Sequence, residues 1–426
     1  MAKLNFAKVT ILSGMLTLLR LLCGFAISKV VAIYTGPVGI AGLGQLQNLV
    51  TFINGFVSSQ VSQGINRYSA ENKGDYDNAK YYWRAALKLS IVACLFIVCL
   101  GSIFSNSISM LLFSTHAYYW IVILALVVVP LNVINNIFLG VLNGLGDHYR
   151  FFVANGCAIV FSAITMTVLV YLFGLKGALI AAALNNAIAG LWLVFVVMKC
   201  DWFKYRYWVG KTTSFHIGEM RNYFFMGVIG ALTGPVSLIL VRTILTKDFS
   251  AEYAGYWQSV SKLSEAYLAV LTTALTVYYF PKTAAAKTVN EHISVLKTGS
   301  LIVIPFACVF AGGIFLGKEY ILRILFSAEF IKAKQLFFFQ NLGDVFRITS
   351  WLFATILLAK GYFRINAVLE ITFSILFPLL TWCFIKYYSF TGVSVAYCLT
   401  YFGYLVVSIL IYIGHIKRLK RVNSIA

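Results

Sequence analysis

LNGLGDHYRFFVANGCAIVFS (142–162) is matched about half the chain later by a similar stretch, LLAKGYFRINAVLEITFSILF (357–377). Each stretch has a short loop, an Arg and then an aliphatic helix. Arg150 and Arg364 are 214 residues apart, and Gly177 and Gly392, in a second matched pair, are 215 apart. The sequence therefore predicts two similar halves. The alternative is a chance match between apolar helices.

The composition decides the class of protein. Of the 426 residues, 60% are apolar and 11% are charged, and the mean hydropathy is +0.85. A soluble domain is about 45–50% apolar and about 25% charged. These values exclude a water-soluble globule, a disordered chain and a disulfide scaffold. With about 20 apolar residues needed for each span, about a dozen membrane helices occupy the whole chain.

The apolar runs place these helices individually. We predict twelve spans, at 10–33, 38–64, 84–106, 117–142, 150–173, 177–198, 222–245, 254–280, 297–317, 334–358, 365–386 and 392–414. The fold class is thus an all-α polytopic membrane protein.

The internal repeat divides these spans into two lobes of six helices. We expect an N-terminal lobe at 1–200, a cytoplasmic linker at 201–221 and a C-terminal lobe at 222–426 with a basic cytoplasmic tail. Because an even number of spans separates matched elements, the repeats are parallel. Transporters built from such repeats bind substrate between the halves, and we expect a central cationic cavity there.

Basic residues dominate the charge, with a formal net charge of +20. In a soluble protein this would suggest nucleic acid, but in a membrane protein Lys and Arg collect on the cytoplasmic side. One side of the predicted topology carries 21 Lys and Arg and the other carries 6. We therefore expect both termini in the cytoplasm. The opening MAKLNFAK has no cleavage site after it, which indicates a retained first helix.

Catalytic and metal-binding patterns are not found in the sequence. The eight Cys fall mostly inside apolar runs, without a CxxC pair, and the five His fall in or near connections. GxSxG, HExxH and Walker A sequences do not occur. The sequence favours a protein that is not an enzyme and that needs no cofactor or metal.

Charged residues inside the spans are the candidate functional residues. Each costs about 2.5–3.5 kcal/mol at a helix centre, so each needs a partner or a water-filled cavity. The candidates are Arg20, Lys29, Arg242, Lys262, Glu265, Asp344, Arg347 and Glu370.

Each candidate also has a purely structural interpretation. Arg20, near mid-span, and Lys29 either line one cavity at two depths or pair with acids on other helices. Arg242 either faces the cavity or extends its side chain to the membrane surface. Two i, i+3 pairs can neutralise each other on one helix face. They are Lys262 with Glu265 and Asp344 with Arg347.

Amides and aromatic residues in the spans are interpreted mainly as structural. Hydrogen bonding between helices is favoured over ligand contact for Asn132, Asn135, Asn136, Asn185, Asn186, Gln258 and Asn341. Most aromatic side chains are interpreted as interfacial belts or packing, with stacking on sugar rings as a minority role.

Three motifs resemble a known family. YTGPVGIAGLGQLQNL (34–49) follows the helix with Arg20 and Lys29 and resembles the opening of bacterial polysaccharide flippases, in the multidrug/oligosaccharidyl-lipid/polysaccharide (MOP) superfamily. YWQSVSKLSEAYLAVLTTALTVYYFPK (256–282) and NLGDVFRITSWLFATILLAKGYFRINAVLE (341–370) are similar to the branch with O-antigen flippases and the lipid III flippase of enterobacterial common antigen synthesis.

The resemblance implies a substrate and roles for residues. The cargo would be an undecaprenyl-diphosphate-linked oligosaccharide, the O-antigen repeat unit, moved by alternating access across the inner membrane. The polymerase and chain-length regulator of the same pathway would be partners. Basic residues match at Arg20, Lys29 and Arg242, which would bind the diphosphate, and acids match at Glu265, Asp344 and Glu370. Arg347 joins the acids as a cavity charge, and Lys262 departs from the branch, where a small polar residue is frequent.

Three other functions stay open at this point. Lipid III of enterobacterial common antigen synthesis is an alternative cargo. A multidrug exporter of the same superfamily would favour acidic cavity residues, because its usual cargo is cationic. An oligosaccharide polymerase would need a sizeable periplasmic loop, whereas the long polar connections 65–84 and 199–221 are expected in the cytoplasm.

Overall fold

The chain is helical throughout the part that the structure describes. This computed structural model describes residues 6–275, 279–286, 288–359 and 362–423, and these ranges contain helices and connections without a β-strand. Lys3, Lys287 and Lys360, which contribute to the predicted charge asymmetry, lie outside the described residues.

The first half of the chain forms a run of helices joined by short connections. They are α1 (Phe6–Asn54), α2 (Gln60–Glu71), α3 (Tyr76–Ile103), α4 (Ser105–Phe113), α5 (Tyr119–Val127), α6 (Val129–Leu145), α7 (His148–Val197) and α8 (Tyr205–Trp208). A π-helical segment, Gly55–Ser59, joins α1 to α2.

The second half continues in the same way. Its helices are α9 (Ser214–Asp248), α10 (Ala251–Ala274), α11 (Phe280–Ala285), α12 (Val289–Leu325), α13 (Phe337–Ala359), α14 (Phe363–Tyr388) and α15 (Gly392–Asn423). A 3₁₀ segment, Ala328–Leu336, precedes α13, and a shorter one, Ser389–Thr391, precedes α15.

Two of the long helices each contain a sharp break at one glycine. Gly36 in α1 has φ 62° and ψ −163°, and Gly174 in α7 has φ 55° and ψ −130°. Both conformations have a positive φ, which glycine adopts easily and which is strained for residues with a Cβ atom. With these breaks counted, the described helices supply long segments at the positions of all twelve predicted spans.

The apolar length of the helices fits a membrane. Seven stretches of the described residues are long and apolar enough to cross one, from Ile11–Glu71 to Arg364–Lys417. Several of them contain two predicted spans, as His148–Val197 does across Gly174. The protein is therefore a multi-pass membrane protein.

Contacts divide the chain into an N-terminal unit, Met1–Ile239, and a C-terminal unit, Leu240–Ala426. The division falls inside α9, after the linker that the sequence analysis placed at 201–221. The predicted lobe boundaries, 1–200 and 222–426, stay a prediction.

Glycines bring α6 close to α2 in the N-terminal unit. A Cβ on Gly140 would lie 2.6 Å from the carbonyl oxygen of Ser62, and one on Gly144 would collide with the carbonyl oxygen of Asn66. Small residues four apart let two backbones approach closely, which is how helices pack where lipid surrounds them. This contact fixes α6 beside the segment that follows the π-helical turn.

The connection between α7 and α9 is held by α3. Trp83 of α3 is fully buried, stacks on Trp208 at 5.3 Å and meets Trp202 edge-on at 6.2 Å. Arg84 donates to the carbonyl oxygens of Arg206 and Lys211. The connection is thus a packed part of the N-terminal unit.

The C-terminal unit has its own core between α10, α12, α13 and α15. Its centre is formed by Leu271, Ala307, Ile348, Leu352 and Tyr412, each at most 7% exposed. Because this core packs α10 and α15 against α13, it positions the charged residues of these three helices in one region of the unit.

Candidate functional site

Asp344 is an acid buried within the C-terminal unit. Its side chain lies on α13 with no solvent-exposed surface. Tyr267 of α10 donates to its Oδ2 at 2.7 Å, and Tyr397 of α15 donates to its Oδ1 at 2.7 Å. Hydroxyl groups from two different helices therefore satisfy both carboxylate oxygens, which compensates part of the cost of burying the group.

Arg347 lies one turn after Asp344 and reaches it through a tyrosine. Its Nη1 donates to the Tyr397 hydroxyl at 3.2 Å, and its guanidinium lies 5.1 Å from the ring centre of Tyr401. No ion pair closer than 4 Å joins Arg347 to Asp344. Direct neutralisation, one of the two sequence-based interpretations, is replaced by a chain in which Tyr397 accepts from Arg347 and donates to Asp344.

Glu370 on α14 has a similar but weaker contact. The Tyr404 hydroxyl of α15 donates to its Oε1 at 3.3 Å, and the Glu370 side chain is half-buried. Together, Tyr397, Tyr401 and Tyr404 form a tyrosine row on α15 that meets one cation and two acids. We call these six residues and Tyr267 the tyrosine–acid cluster.

The tyrosine–acid cluster can hold and exchange charge. Two hydroxyl donors hold both oxygens of the Asp344 carboxylate, and the guanidinium of Arg347 lies close by through Tyr397. If Arg347 leaves Tyr397, or if a proton reaches Asp344, the balance between the charged and the neutral form of Asp344 changes. Such an arrangement suits a group that takes up and releases a proton or a cation.

Arg242 lies inside the C-terminal unit. It is 2% exposed, donates from Nε to Gln258 Oε1 at 2.6 Å, and places its guanidinium 5.4 Å from the ring centre of Trp257. One sequence-based alternative is that the Arg242 side chain extends to the membrane surface. The structure shows it buried instead. The cation–π contact with Trp257 and the hydrogen bond to Gln258 together offset the cost of burying this charge.

Lys262 and Glu265 remain separate on α10. Lys262 is half-buried and Glu265 is exposed, and no ion pair within 4 Å joins them. Their i, i+3 spacing therefore does not neutralise them directly in this structure.

Arg20 and Lys29 lie on the first segment of α1. Arg20 is about midway between Phe6 and the break at Gly36, and at 1.5 Å per residue it lies about 21 Å from Phe6. Its side chain is exposed, whereas Lys29 is half-buried. Nine residues of helix turn by about two and a half revolutions, so the two cations leave α1 on opposite sides.

Two of the amides connect helices, as the sequence predicts. Asn136 of α6 donates to Ser58 Oγ in the π-helical segment at 2.8 Å. Asn341 of α13 donates to the carbonyl oxygen of Ala311 in α12 at 2.8 Å. A third amide, Gln258 of α10, also joins two helices, because it accepts from Arg242 of α9.

The tyrosines of the tyrosine–acid cluster are not among the candidates from the sequence, where aromatic residues are interpreted mainly as belts or packing. A signal was available, because Tyr397, Tyr401 and Tyr404 follow the i, i+4, i+7 spacing of one helix face. The identity of their partners depends on how α10, α13 and α14 pack around α15, and sequence spacing does not show this.

The fold of the chain is similar to that of solved membrane transporters of the MOP superfamily. One inward-facing multidrug resistance MATE family transporter of this superfamily matches with a TM-score of 0.81 at 16% identity, over 94% of this chain and 96% of that one. A MOP superfamily transporter from Pyrococcus furiosus Vc1, described as having a binding pocket of reversed polarity, matches with a TM-score of 0.71 at 14% identity, over 98% and 97% of the two chains.

The sequence identifies the family to which the chain belongs. Residues 6–286 match the family model described as polysaccharide biosynthesis protein, and the chain belongs to this family. It is also 24% identical over 410 residues to the lipid III flippases of Escherichia coli (strain K12) and Shigella flexneri, covering 94% of this chain and 96% of those proteins.

Proposed function

We propose that the protein is a flippase that moves an undecaprenyl-diphosphate-linked oligosaccharide from the cytoplasmic to the periplasmic leaflet of the inner membrane. Membership of the polysaccharide biosynthesis family supports the substrate class, and the MOP transporter fold supports alternating access. In this proposal the protein is a transporter and not an enzyme, and both termini are cytoplasmic.

The observation that carries the proposal is the position of Arg20. A diphosphate crossing about 30 Å of hydrocarbon needs a substitute for its hydration, because burying bare charge costs several kcal/mol or more. Arg20 presents an exposed guanidinium near the middle of a membrane helix. A guanidinium binds two phosphate oxygens at once, so it suits this cargo better than a cationic drug.

The other basic residues take secondary parts in the proposal. Lys29 leaves α1 on the opposite side from Arg20 and about 13 Å further along. In the proposal it therefore binds the diphosphate at a different stage of transport and not together with Arg20. Arg242 takes part only when its contacts to Gln258 and Trp257 are released. Coupling of transport to an ion is assigned to charged residues of the C-terminal unit. These are the acids Asp344, Glu265 and Glu370 and the cations Arg347 and Lys262.

The driving force follows from the charge of the cargo. Moving an anion outward from a negative interior is favourable by about 2.3 kcal/mol per charge per 100 mV. Protonation of an acid such as Asp344 then resets the empty carrier. In proteoliposomes, transport should respond to an imposed membrane potential or pH gradient, and a rate indifferent to both would contradict this part of the proposal.

Arg20 is tested in a strain that lacks the gene. The undecaprenyl-linked sugar should accumulate in the inner leaflet of this strain, and the wild-type gene should restore surface polysaccharide. Arg20→Ala should abolish the restoration, and Arg20→Lys should keep part of it. Lys88→Ala, an exposed cation of α3, is the control and should restore fully at equal protein amounts. Normal polysaccharide from the Arg20→Ala strain would exclude the role.

The same strain separates two cargoes. Accumulation of an O-antigen repeat unit supports the first cargo, and accumulation of enterobacterial common antigen lipid III supports the second. The second is favoured by the 24% identity to lipid III flippases. The polymerase and chain-length regulator of the pathway that is blocked are the proposed protein partners.

A further inference from the structure

A polar cavity lies inside the N-terminal unit, where the second span changes its helical geometry. Its volume is about 310 Å³, and it opens beside the π-helical segment Gly55–Ser59. Single π-helical turns occur frequently at functional sites. The polar side chains that line the cavity are Thr51, Asn54, Ser59, Gln60 and Asn136.

Glycines of α9 keep the opposite wall of the cavity open. A Cβ on Gly230 would meet no atom within 4 Å, so the absence of a side chain there leaves space. Gly227 has a different role, because its Cβ would lie 2.8 Å from the carbonyl oxygen of Gly55, where the two helices touch. Pro235 completes this wall.

The chemistry of the lining is neutral and can both donate and accept. The described residues around the cavity offer amides and hydroxyls and no charged side chain. Asn54 Oδ1 is buried and has no hydrogen-bond partner. Buried polar atoms are nearly always paired with protein or with ordered water, so this acceptor has the capacity to bind one further donor at the cavity wall.

We propose that this cavity is a subsite for one sugar ring of the lipid-linked oligosaccharide, with Asn54 Oδ1 accepting from a ring hydroxyl. Sugars are neutral and rich in groups that both donate and accept, and this lining complements them. The volume lies at the lower end for small-molecule pockets, which suits one ring and not a chain of rings. The inference rests on the proposed function, since it assumes that a lipid-linked sugar is the cargo.

Two probes test the subsite in the full-length protein reconstituted in nanodiscs. One is a polyprenyl diphosphate that bears a single N-acetylhexosamine, and the other is the methyl ester of the same polyprenyl diphosphate, which has equal charge and no sugar. The wild-type protein should bind the first about tenfold more tightly, as expected for one or two additional hydrogen bonds. Equal affinity for both would overturn the subsite and leave the flippase proposal standing. Binding of neither would count against both.

Substitutions test whether this cavity causes the tighter binding of the sugar-bearing probe. Asn54→Ala removes the orphaned acceptor, and Gly230→Leu fills the open space. Each should reduce the affinity for the sugar-bearing probe to that for the bare one, without weakening the bare probe. Gly218→Leu on the same helix, where a Cβ also meets nothing within 4 Å, is the matched control and should keep the preference. Full retention of the preference by both cavity variants would overturn the assignment.

Discussion

Tyr397 is the residue on which the charged region of the C-terminal unit depends most. Its hydroxyl accepts from Arg347 and donates to Asp344, so one oxygen serves two buried charges. Tyr267 serves only Asp344, and Tyr404 serves only the half-buried Glu370 at a longer distance. The three hydroxyls therefore differ in the number of charges that each would leave unpaired.

Removing these hydroxyls one at a time should reveal this order. Tyr397→Phe should reduce the free energy of unfolding by about 1–3 kcal/mol, because a buried polar group without its partner costs this much. Tyr267→Phe should cost less, because it removes a partner only from Asp344, whereas Tyr397→Phe removes one from Arg347 as well. Tyr404→Phe should cost least. Thermal unfolding of the detergent-solubilised variants measures the order. A larger loss for Tyr404→Phe than for Tyr397→Phe would contradict the assigned geometry.

The first helix illustrates how one position controls an element. α1 runs without interruption to Gly36, where the chain turns into the second span within one residue. The position needs a left-handed backbone conformation, which a side chain makes unfavourable. Gly24 lies on the same helix in regular geometry with open space around it, and needs no such conformation.

Alanine should distinguish these two glycines of α1. Gly36→Ala should destabilise the protein by about 1–3 kcal/mol, the cost of a strained backbone position. Gly24→Ala should be neutral or stabilising by up to about 1 kcal/mol, because alanine is the better helix former. The midpoint of thermal unfolding reports both. If the two substitutions have the same effect, the break at Gly36 does not require glycine.

Across the whole molecule, the charge asymmetry assigns each connection to one side of the membrane. In the predicted topology, the packed connection with Lys211 lies on the basic side, and Tyr387, near the end of α14, lies on the opposite side. Both side chains are exposed, so both sites are accessible to a reagent.

Cysteine labelling in intact cells should show this orientation. In a variant without the eight native cysteines, Tyr387→Cys should react with a membrane-impermeant maleimide, and Lys211→Cys should react only after lysis. Lysed cells provide the control, since both sites should then react. The opposite pattern would invert the topology and place the termini outside the cytoplasm.

At this scale the sequence predicted the architecture well and the chemistry less well. Long apolar runs and the matched stretches around Arg150 and Arg364 are local signals, and the helices appear where these signals place them. The sequence identifies Asp344 as a candidate, and a direct contact with Arg347 is one of the two interpretations that it allows. The intervening tyrosine comes from a helix about 50 residues later, so only the packed structure shows it.

The breaks at Gly36 and Gly174 have a practical consequence. A protease must draw several residues into an extended form before it can cut, and an antibody needs a comparable length of accessible chain. After the first and fifth spans, one non-helical residue stands between consecutive helices. These two turns should withstand digestion, and an epitope tag would be tolerated better in a longer connection, such as the one around Lys73 and Gly74.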